Sequence, residues 1–165
     1  MKSIVMTAAA ALLLSATTQA QKVVTLEHKG QKYEVLDMTA KGKISWGGYE
    51  EIGDAVRSDD NGAANTKAII AAVGENKGFD GKPYAAKVCA NAKDGGKADW
   101  YLPAKEETEM IVLHKDKFAF DERATLWTST EANGTQAVTK YVYTGAFYNS
   151  QKVDEYNFVC IRKVQ

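Results

Sequence analysis

The chain has 165 residues, in which 21 lysines and arginines balance 21 aspartates and glutamates. This length is enough for a folded domain with its own hydrophobic core. A chain with no net charge and no basic block lacks the electrostatic footprint of a protein that binds nucleic acid or an anionic membrane, so neither partner is expected.

The first 20 residues have the features of a secretory signal peptide. Lys2 gives a positive start, residues 4–14 are apolar or small, and residues 18–20 (Thr-Gln-Ala) form a small-x-small cleavage site. A membrane-spanning helix needs about 20 apolar residues, and this apolar stretch is shorter. We therefore expect cleavage after Ala20, a single mature domain over residues 21–165, an extracytoplasmic (periplasmic or secreted) location, and no membrane insertion.

The mature chain begins with a predicted hairpin. Residues 22–28 and 33–38 place apolar side chains at alternate positions on either side of Lys29-Gly30, which can form the turn. Residues 41–61 are rich in Gly, Ser and Asp, a composition typical of a loop, with a short strand expected at residues 44–46.

The end of this loop, Asp59-Asp60-Asn61-Gly62, has the closely spaced oxygen ligands of a calcium loop. An EF-hand loop counted from Asp59 requires a glutamate where Ile70 stands. We interpret these residues as a solvated turn and expect no metal and no cofactor.

Three short helices are predicted next. Asn65 or Thr66 can cap the first, and Pro83 is placed at the start of the second. The third covers residues 104–115, with Ala104 at its N-cap. Because alanine cannot accept a hydrogen bond from the backbone N–H groups of the first turn, this helix is expected to be under-capped.

The last third of the chain has the two-residue period of β-strands. Strands are predicted over residues 125–130, 137–143, 146–148 and 156–164, with Asn133-Gly134 and Thr144-Gly145 as turns. Helices followed by a run of strands indicate the α+β class.

The only two cysteines, Cys89 and Cys160, are 71 positions apart. A pair of cysteines in an exported protein is more often bonded than free, and a bond closing such a loop stabilises the fold by about 4 kcal/mol. The alternatives are a free catalytic thiol and a metal site. A metal site needs about four ligands, and His28 and His114 are the only imidazoles.

Five sequence blocks together resemble the Lcl C-terminal-like domain, a bacterial family of unknown function found at the C-terminus of a collagen-like adhesin. No single block is specific to the family, but the order and spacing of the five blocks together are. The resemblance covers residues 44–165. The blocks are residues 44–47 (Ile-Ser-Trp-Gly), 62–66 (Gly-Ala-Ala-Asn-Thr), 99–103 (Asp-Trp-Tyr-Leu-Pro), 127–131 (Trp-Thr-Ser-Thr-Glu) and 159–162 (Val-Cys-Ile-Arg).

The resemblance implies a C-type-lectin-like fold. Two to three short helices would pack on a small, mainly antiparallel sheet in which N- and C-terminal strands are paired. Such folds join a helical cysteine to one on the last strand, and Cys89 and Cys160 stand at matching places. The tripeptides that bind sugar through calcium (Glu-Pro-Asn or Gln-Pro-Asp, and Trp-Asn-Asp) are absent. Calcium-dependent sugar binding is therefore not expected. The family lies near the formylglycine-generating proteins, but their cysteine chemistry is not expected either, because the only two cysteines would be used in the structural bond.

Four further residues are assigned structural roles. Trp100 and Trp127 are predicted to lie in the core. Glu131 and Arg162 are predicted to form a charged pair that links two strands.

Residues 141–151 mix aromatic side chains with Asn, Ser and Gln, a composition typical of contact surfaces. Val142 suits a core, so strand alternation turns Tyr141 and Tyr143 toward solvent, with Tyr148 and Asn149 beyond the turn. These four residues are the predicted ligand-binding site.

No catalytic residue is assigned, because neither His28 nor His114 stands beside a nucleophile motif. Glutamates 106, 107 and 109 fit a solvated helix face. The sequence favours a non-catalytic, calcium-independent, adhesin-like binding module for a glycan or for an envelope or host protein. The alternatives are a structural or assembly component of the cell envelope and, less favoured, an enzyme.

Overall fold

The computed structural model describes residues 22–75 and 78–165, so the predicted signal peptide lies outside the described residues. Over these residues the fold has the predicted α+β class, with three α-helices and two small antiparallel sheets. In chain order the elements are β1 (Val23–His28), β2 (Gln31–Asp37), α1 (Gly62–Val73), α2 (Ala85–Asn91), α3 (Lys105–Leu113), β3 (Thr125–Glu131), β4 (Gln136–Tyr141), β5 (Phe147–Gln151) and β6 (Val159–Lys163).

The first sheet has the strand order β1-β2-β6. The predicted hairpin is present, and Lys29 and Gly30 both have positive φ angles, 51° and 77°. Two residues of positive φ form the turn whose twist matches that of the flanking strands. β2 also pairs antiparallel with β6, which places Val35 opposite Ile161. An N-terminal strand and a C-terminal strand are thus neighbours, as expected.

The second sheet has the order β3-β4-β5, so the single small sheet that we expected is in fact two. The chain leaves the second sheet after β5 because residues 152–156 bond to the loop before α1. Trp46 N donates to Lys152 O at 2.9 Å, and Ile44 pairs with Tyr156. β6 then joins β2 instead of continuing the second sheet.

Helix α1 begins earlier than predicted, and the predicted caps are wrong. Asn61 is the N-cap, where its side-chain oxygen accepts a hydrogen bond from Ala64 N at 3.1 Å. Asn65 lies inside the helix and is fully buried, with its amide nitrogen 2.7 Å from Ser58 O. Asparagine is a favoured N-cap residue, so the sequence alone does not decide between Asn61 and Asn65. Only the packing of α1 on β3 shows that Asn61 caps the helix and Asn65 lies inside it.

The expectation that α3 is under-capped is also wrong for its first two N–H groups. Lys105 N donates to Thr130 Oγ1 at 3.2 Å, and Glu106 N donates to Asp59 O at 2.7 Å. These acceptors come from distant parts of the chain and replace the missing side-chain cap of Ala104.

Among the described residues the hydrophobic core has two parts. One packs α1 and α2 against one face of both sheets and contains Trp46, Trp100 and Trp127, each at most 2% exposed. The other packs α3 against the opposite face of both sheets. The predicted disulfide is present: Cys89 in α2 is bonded to Cys160 in β6. It ties the helical layer to the last strand.

Candidate functional site

Two exposed tyrosines and one partly buried tyrosine stand at one end of the second sheet. Tyr143 and Tyr148 are 65% and 54% exposed, and Tyr141 is partly buried. Val142 between the first two is only 3% exposed and packs in the core. The buried valine turns its neighbours outward, as the alternation of a strand requires. We call Tyr141, Tyr143 and Tyr148 the tyrosine patch.

Two of these rings line a shallow cavity. The ring centroids of Tyr141 and Tyr143 are 6.4 Å apart, and the ring planes are inclined by 55°. The cavity has a volume of about 120 Å³, and its other walls are Glu122 and Arg123. Apolar ring faces beside one hydrogen-bond acceptor and one donor group form a surface suited to a small polar ligand.

The pairing of β4 with β5 decides which other residues share this face. Tyr148 lies opposite Thr139. Tyr141 is two residues further along β4, so its Cα is diagonal to that of Tyr148 at about 7–8 Å, within reach of aromatic side chains. Asn149 lies opposite Val138 and therefore points to the other face. The register thus places Tyr148 on the same face as Tyr141 and Asn149 on the opposite face.

The turn that carries Tyr143 is held by two lysines. Lys115 Nζ donates to Tyr143 O at 3.0 Å and lies 5.7 Å from the centroid of that ring. Lys140 is 1% exposed, and its Nζ donates to Gly145 O at 2.5 Å, pairs with Glu109 and lies 3.8 Å from the Phe147 ring centroid. A fixed turn lowers the entropy cost of binding, because the rings need not be ordered by the ligand.

The sequence did not predict the charged members of this site. Lys115, Glu122 and Arg123 lie 18 or more positions before Tyr141, in a segment with no pattern that relates it to residues 141–148. They reach the patch because two hydrogen bonds join the segment between α3 and β3 to the turn: Lys115 Nζ donates to Tyr143 O at 3.0 Å, and Val142 N donates to Ala124 O at 2.9 Å.

The predicted pairing of Glu131 with Arg162 is wrong. Glu131 is bonded to Lys152, with 2.6 Å between Oε1 and Nζ. Arg162 bonds to Asp99 at 2.6 Å and to Glu34 at 2.7 Å. β3 and β6, which carry the two residues, belong to different sheets. The hydrogen bond from Arg162 lowers the pKa of Asp99, and the two carboxylates raise the pKa of Arg162.

A second cavity, which we call the His28 groove, has a volume of about 320 Å³. Its carboxylates are each paired with a lysine: Asp59 with Lys105, Glu106 with Lys29, and Glu109 with Lys140. Within the described parts of the chain, no hydrogen bond joins the His28 ring to a carboxylate. The groove is lined by His28, Lys29, Asp59, Lys105, Glu106, Glu109 and Phe147.

Glu107 lies beside the groove but is buried, at 5% exposure. Its carboxylate accepts hydrogen bonds from Ala104 N, Gly62 N and the Tyr101 hydroxyl at 2.9, 3.1 and 2.9 Å. Burial raises the pKa of Glu107, against the opposing effect of these bonds, and burial also raises the pKa of Tyr101. Glu107 thus fixes the start of α3 to the start of α1.

Among residues 22–75 and 78–165, no group of three or more His, Cys, Asp or Glu side chains is arranged to hold a metal ion. No helix in the same part of the chain combines the length and the apolar character needed to cross a membrane. No protein-family model matches the chain, and no curated protein matches it significantly.

Proposed function

We propose that this protein is a non-catalytic, calcium-independent, extracytoplasmic binding module that recognises a glycan through the tyrosine patch. One observation carries the proposal: Tyr143 on the β4–β5 turn and Tyr148 in β5 expose 65% and 54% of their surface, and the buried Lys140 side chain bonds to Gly145 O in that turn. The sequence blocks that resemble the Lcl C-terminal-like family, and the C-type-lectin-like fold implied by them, support the same reading.

The chemistry of recognition follows from the cavity. A sugar ring stacks on the apolar faces of Tyr141 and Tyr143, which lie 6.4 Å apart. The guanidinium of Arg123 donates to sugar oxygens, and the carboxylate of Glu122 accepts from sugar hydroxyls. A cavity of about 120 Å³ is below the size of an enclosing ligand pocket, so one monovalent contact is weak.

The test is binding to a glycan array by the mature protein and by single tyrosine variants. Tyr143→Ala is expected to lose most of the signal, and Tyr148→Ala, whose ring shares this face but does not line the cavity, to lose part of it. Tyr143→Phe retains the stacking face and most of the binding. Tyr49→Ala is the matched control, because Tyr49 is 53% exposed and packs against Phe79 outside the patch. Binding that is unaltered in both patch variants would refute this site.

The runner-up is a structural or assembly component of the cell envelope that uses the same patch to bind a protein. Affinity capture from envelope extracts separates the two functions. Specific retention of one envelope protein, lost in Tyr143→Ala, together with an array that shows no glycan, would favour assembly.

An enzyme is the least favoured function. The His28 groove does bring a histidine near three carboxylates, but a lysine neutralises each of them. A hydrolase needs a carboxylate or imidazole that can exchange a proton with the substrate. Hydrolysis of a bound glycan that His28→Ala abolishes would establish catalysis.

A further inference from the structure

β5 is the edge strand of the second sheet. The order β3-β4-β5 places no described strand beyond it. Three of its five residues, Tyr148, Asn149 and Gln151, are exposed. The other edge of this sheet is covered, because Trp127 N of β3 donates to Asn157 O at 2.9 Å and Ser129 N donates to Pro103 O at 2.7 Å.

The hydrogen bonds at both ends of β5 show which backbone groups are turned outward. Tyr141 N donates to Ala146 O, and Lys152 N donates to Thr135 O, both at 2.9 Å. The even-numbered residues therefore bond to β4. By alternation, the N–H and C=O groups of Phe147 and Asn149 and the N–H of Gln151 point away from the sheet.

This edge lacks the features by which proteins prevent strand pairing. Edge strands are commonly protected by charged side chains, proline or a bulge. The sequence of β5, Phe-Tyr-Asn-Ser-Gln, has no charge and no proline, and its pairing with β4 has no register shift. A neutral, exposed and regular edge is a template for another strand.

We propose that β5 pairs antiparallel with β5 of a second copy of this chain, about a two-fold axis at Asn149. In this register Asn149 faces itself, Tyr148 faces Ser150 of the second copy, and Phe147 faces Gln151 of the second copy. The outward groups then form about four backbone hydrogen bonds. No like charges meet in this register, and each large ring faces a polar, smaller or flexible side chain. The strand is thus complementary to itself, as a two-fold interface requires.

The proposed dimer would place two tyrosine patches side by side, but the evidence for the strand pairing does not depend on the proposed glycan binding. A two-fold axis perpendicular to the sheet keeps each face continuous across the interface, so both tyrosine patches lie on one face of a six-stranded sheet. Tyr148 is diagonal to Tyr148 of the second copy, with Cα atoms about 7–8 Å apart. Each copy thereby extends the aromatic surface of the other, and two weak glycan sites act together.

The test is the oligomeric state of residues 21–165, measured by sedimentation over a range of concentrations. We expect a dimer that dissociates on dilution, because a pair of short strands buries less than the about 1,200 Å² of a standard stable interface. Asn149→Lys places two ammonium groups opposite each other, and Asn149→Pro removes the outward N–H; both are expected to be monomers. Asn149→Ala is the matched control and keeps the backbone groups and the dimer.

A wild-type protein that is monomeric up to about 1 mM, the range of the weakest specific contacts, overturns the proposal. A dimer that persists in both Asn149→Lys and Asn149→Pro also overturns it and places the interface elsewhere. Thermal melting shows whether the variants are folded. If either is not, hydrogen exchange of the wild-type backbone decides: exchange in residues 147–151 slows as the dimer forms, and unchanged exchange refutes the pairing. Glycan binding by the tyrosine variants is a separate measurement and can fail independently.

Discussion

Lys152 and Glu131 form a salt bridge in which both side chains are fully buried, with 2.6 Å between Nζ and Oε1. The Glu131 carboxylate and the Lys152 ammonium group also form hydrogen bonds with backbone groups. Glu131 accepts from Ile52 N and Gly53 N at 2.9 and 2.7 Å, and Lys152 donates to Glu50 O and Gly134 O at 2.8 and 3.0 Å. The pair therefore fastens residues 50–53 to the second sheet.

Lys152→Met is expected to lower the free energy of unfolding by about 3–5 kcal/mol, because it removes the buried counter-charge of the Glu131 carboxylate and leaves only the half-exposed Arg57 guanidinium at 4.0 Å. Urea unfolding of both proteins measures the difference. Lys82→Met is the control, because Lys82 is 65% exposed and its contact with Glu155 is 3.8 Å. A loss below about 1 kcal/mol for Lys152→Met, the range of exposed ion pairs, would contradict the role of this pair.

The double variant Lys152→Met with Glu131→Gln is expected to be more stable than the sum of the two single losses predicts. Removing both charges removes the desolvation cost that each single variant retains. The coupling free energy from a double-mutant cycle checks this, and additivity of the two changes would show that the residues do not act as a pair.

Loss of the Cys89–Cys160 bond is expected to destabilise the fold by about 4 kcal/mol, because the loop that it closes spans 71 positions. The comparison is between the oxidised protein and the Cys89→Ala, Cys160→Ala variant in urea. Thiol titration of the unfolded, unreduced protein should find no free thiol. Two reactive thiols would show that the bond does not form.

The contribution of Glu107 to the free energy of unfolding is expected to fall as pH rises through the range between its pKa in the unfolded chain and its raised pKa in the folded protein. Burial raises its pKa above the ordinary value of 4.5, so the folded protein holds this proton more tightly than the unfolded chain. The contribution of Glu107 to the free energy of unfolding therefore decreases as pH rises from about 4.5 through the raised pKa. Glu107→Gln removes this contribution, since its side chain does not titrate.

The measurement is the difference in unfolding free energy between wild type and Glu107→Gln, taken at intervals between about pH 4 and 7. The glutamine variant should gain relative to wild type as pH rises. A difference that is constant or falls with pH would mean that the hydrogen bonds from Ala104, Gly62 and Tyr101 outweigh burial.

Thr130→Val is expected to cost about 1–3 kcal/mol. The Thr130 hydroxyl accepts from Lys105 N at 3.2 Å and donates to Ser58 O at 3.0 Å, so valine of the same shape leaves two polar groups without this partner. Thermal melting of Thr130→Val and of Thr130→Ser, which keeps the hydroxyl, gives the comparison. Equal losses in both would assign the effect to packing instead of the helix cap.

Local patterns were enough to predict the α-helices and the longer strands of this fold, but the short strand expected at residues 44–46 is a single bridge between Ile44 and Tyr156. The alternation around Lys29-Gly30 predicted the hairpin. The alternation around Val142 predicted that Val142 is buried and Tyr143 exposed, whereas Tyr141, expected to be exposed, is partly buried. These signals lie within a few residues of the feature that they determine. The same is true of the strand runs in the last third of the chain, whose types were correct although their ends moved by a few residues.

The partners of polar groups could not be predicted, because they lie far away in the sequence. Glu131 is bonded to Lys152 and not to Arg162, and Lys105 N finds its acceptor in Thr130. The sequence predicts one site for Tyr148 and Asn149, but neighbours on a strand point to opposite faces. Which of the two shares the face of Tyr141 is known only once the register with β4 is fixed.

The position of β2 between β1 and β6 has consequences for how the chain folds. Glu34 and Arg162, which face each other across these strands, are 128 positions apart. Contacts over such a separation form late, because the loop-closure entropy is lost before any contact compensates for it. During synthesis, one edge of β2 in the β1–β2 hairpin therefore stays without a strand partner until β6 has been made. The first sheet and the disulfide that anchors it are completed only when β6 arrives, so this half of the molecule cannot fold ahead of the rest.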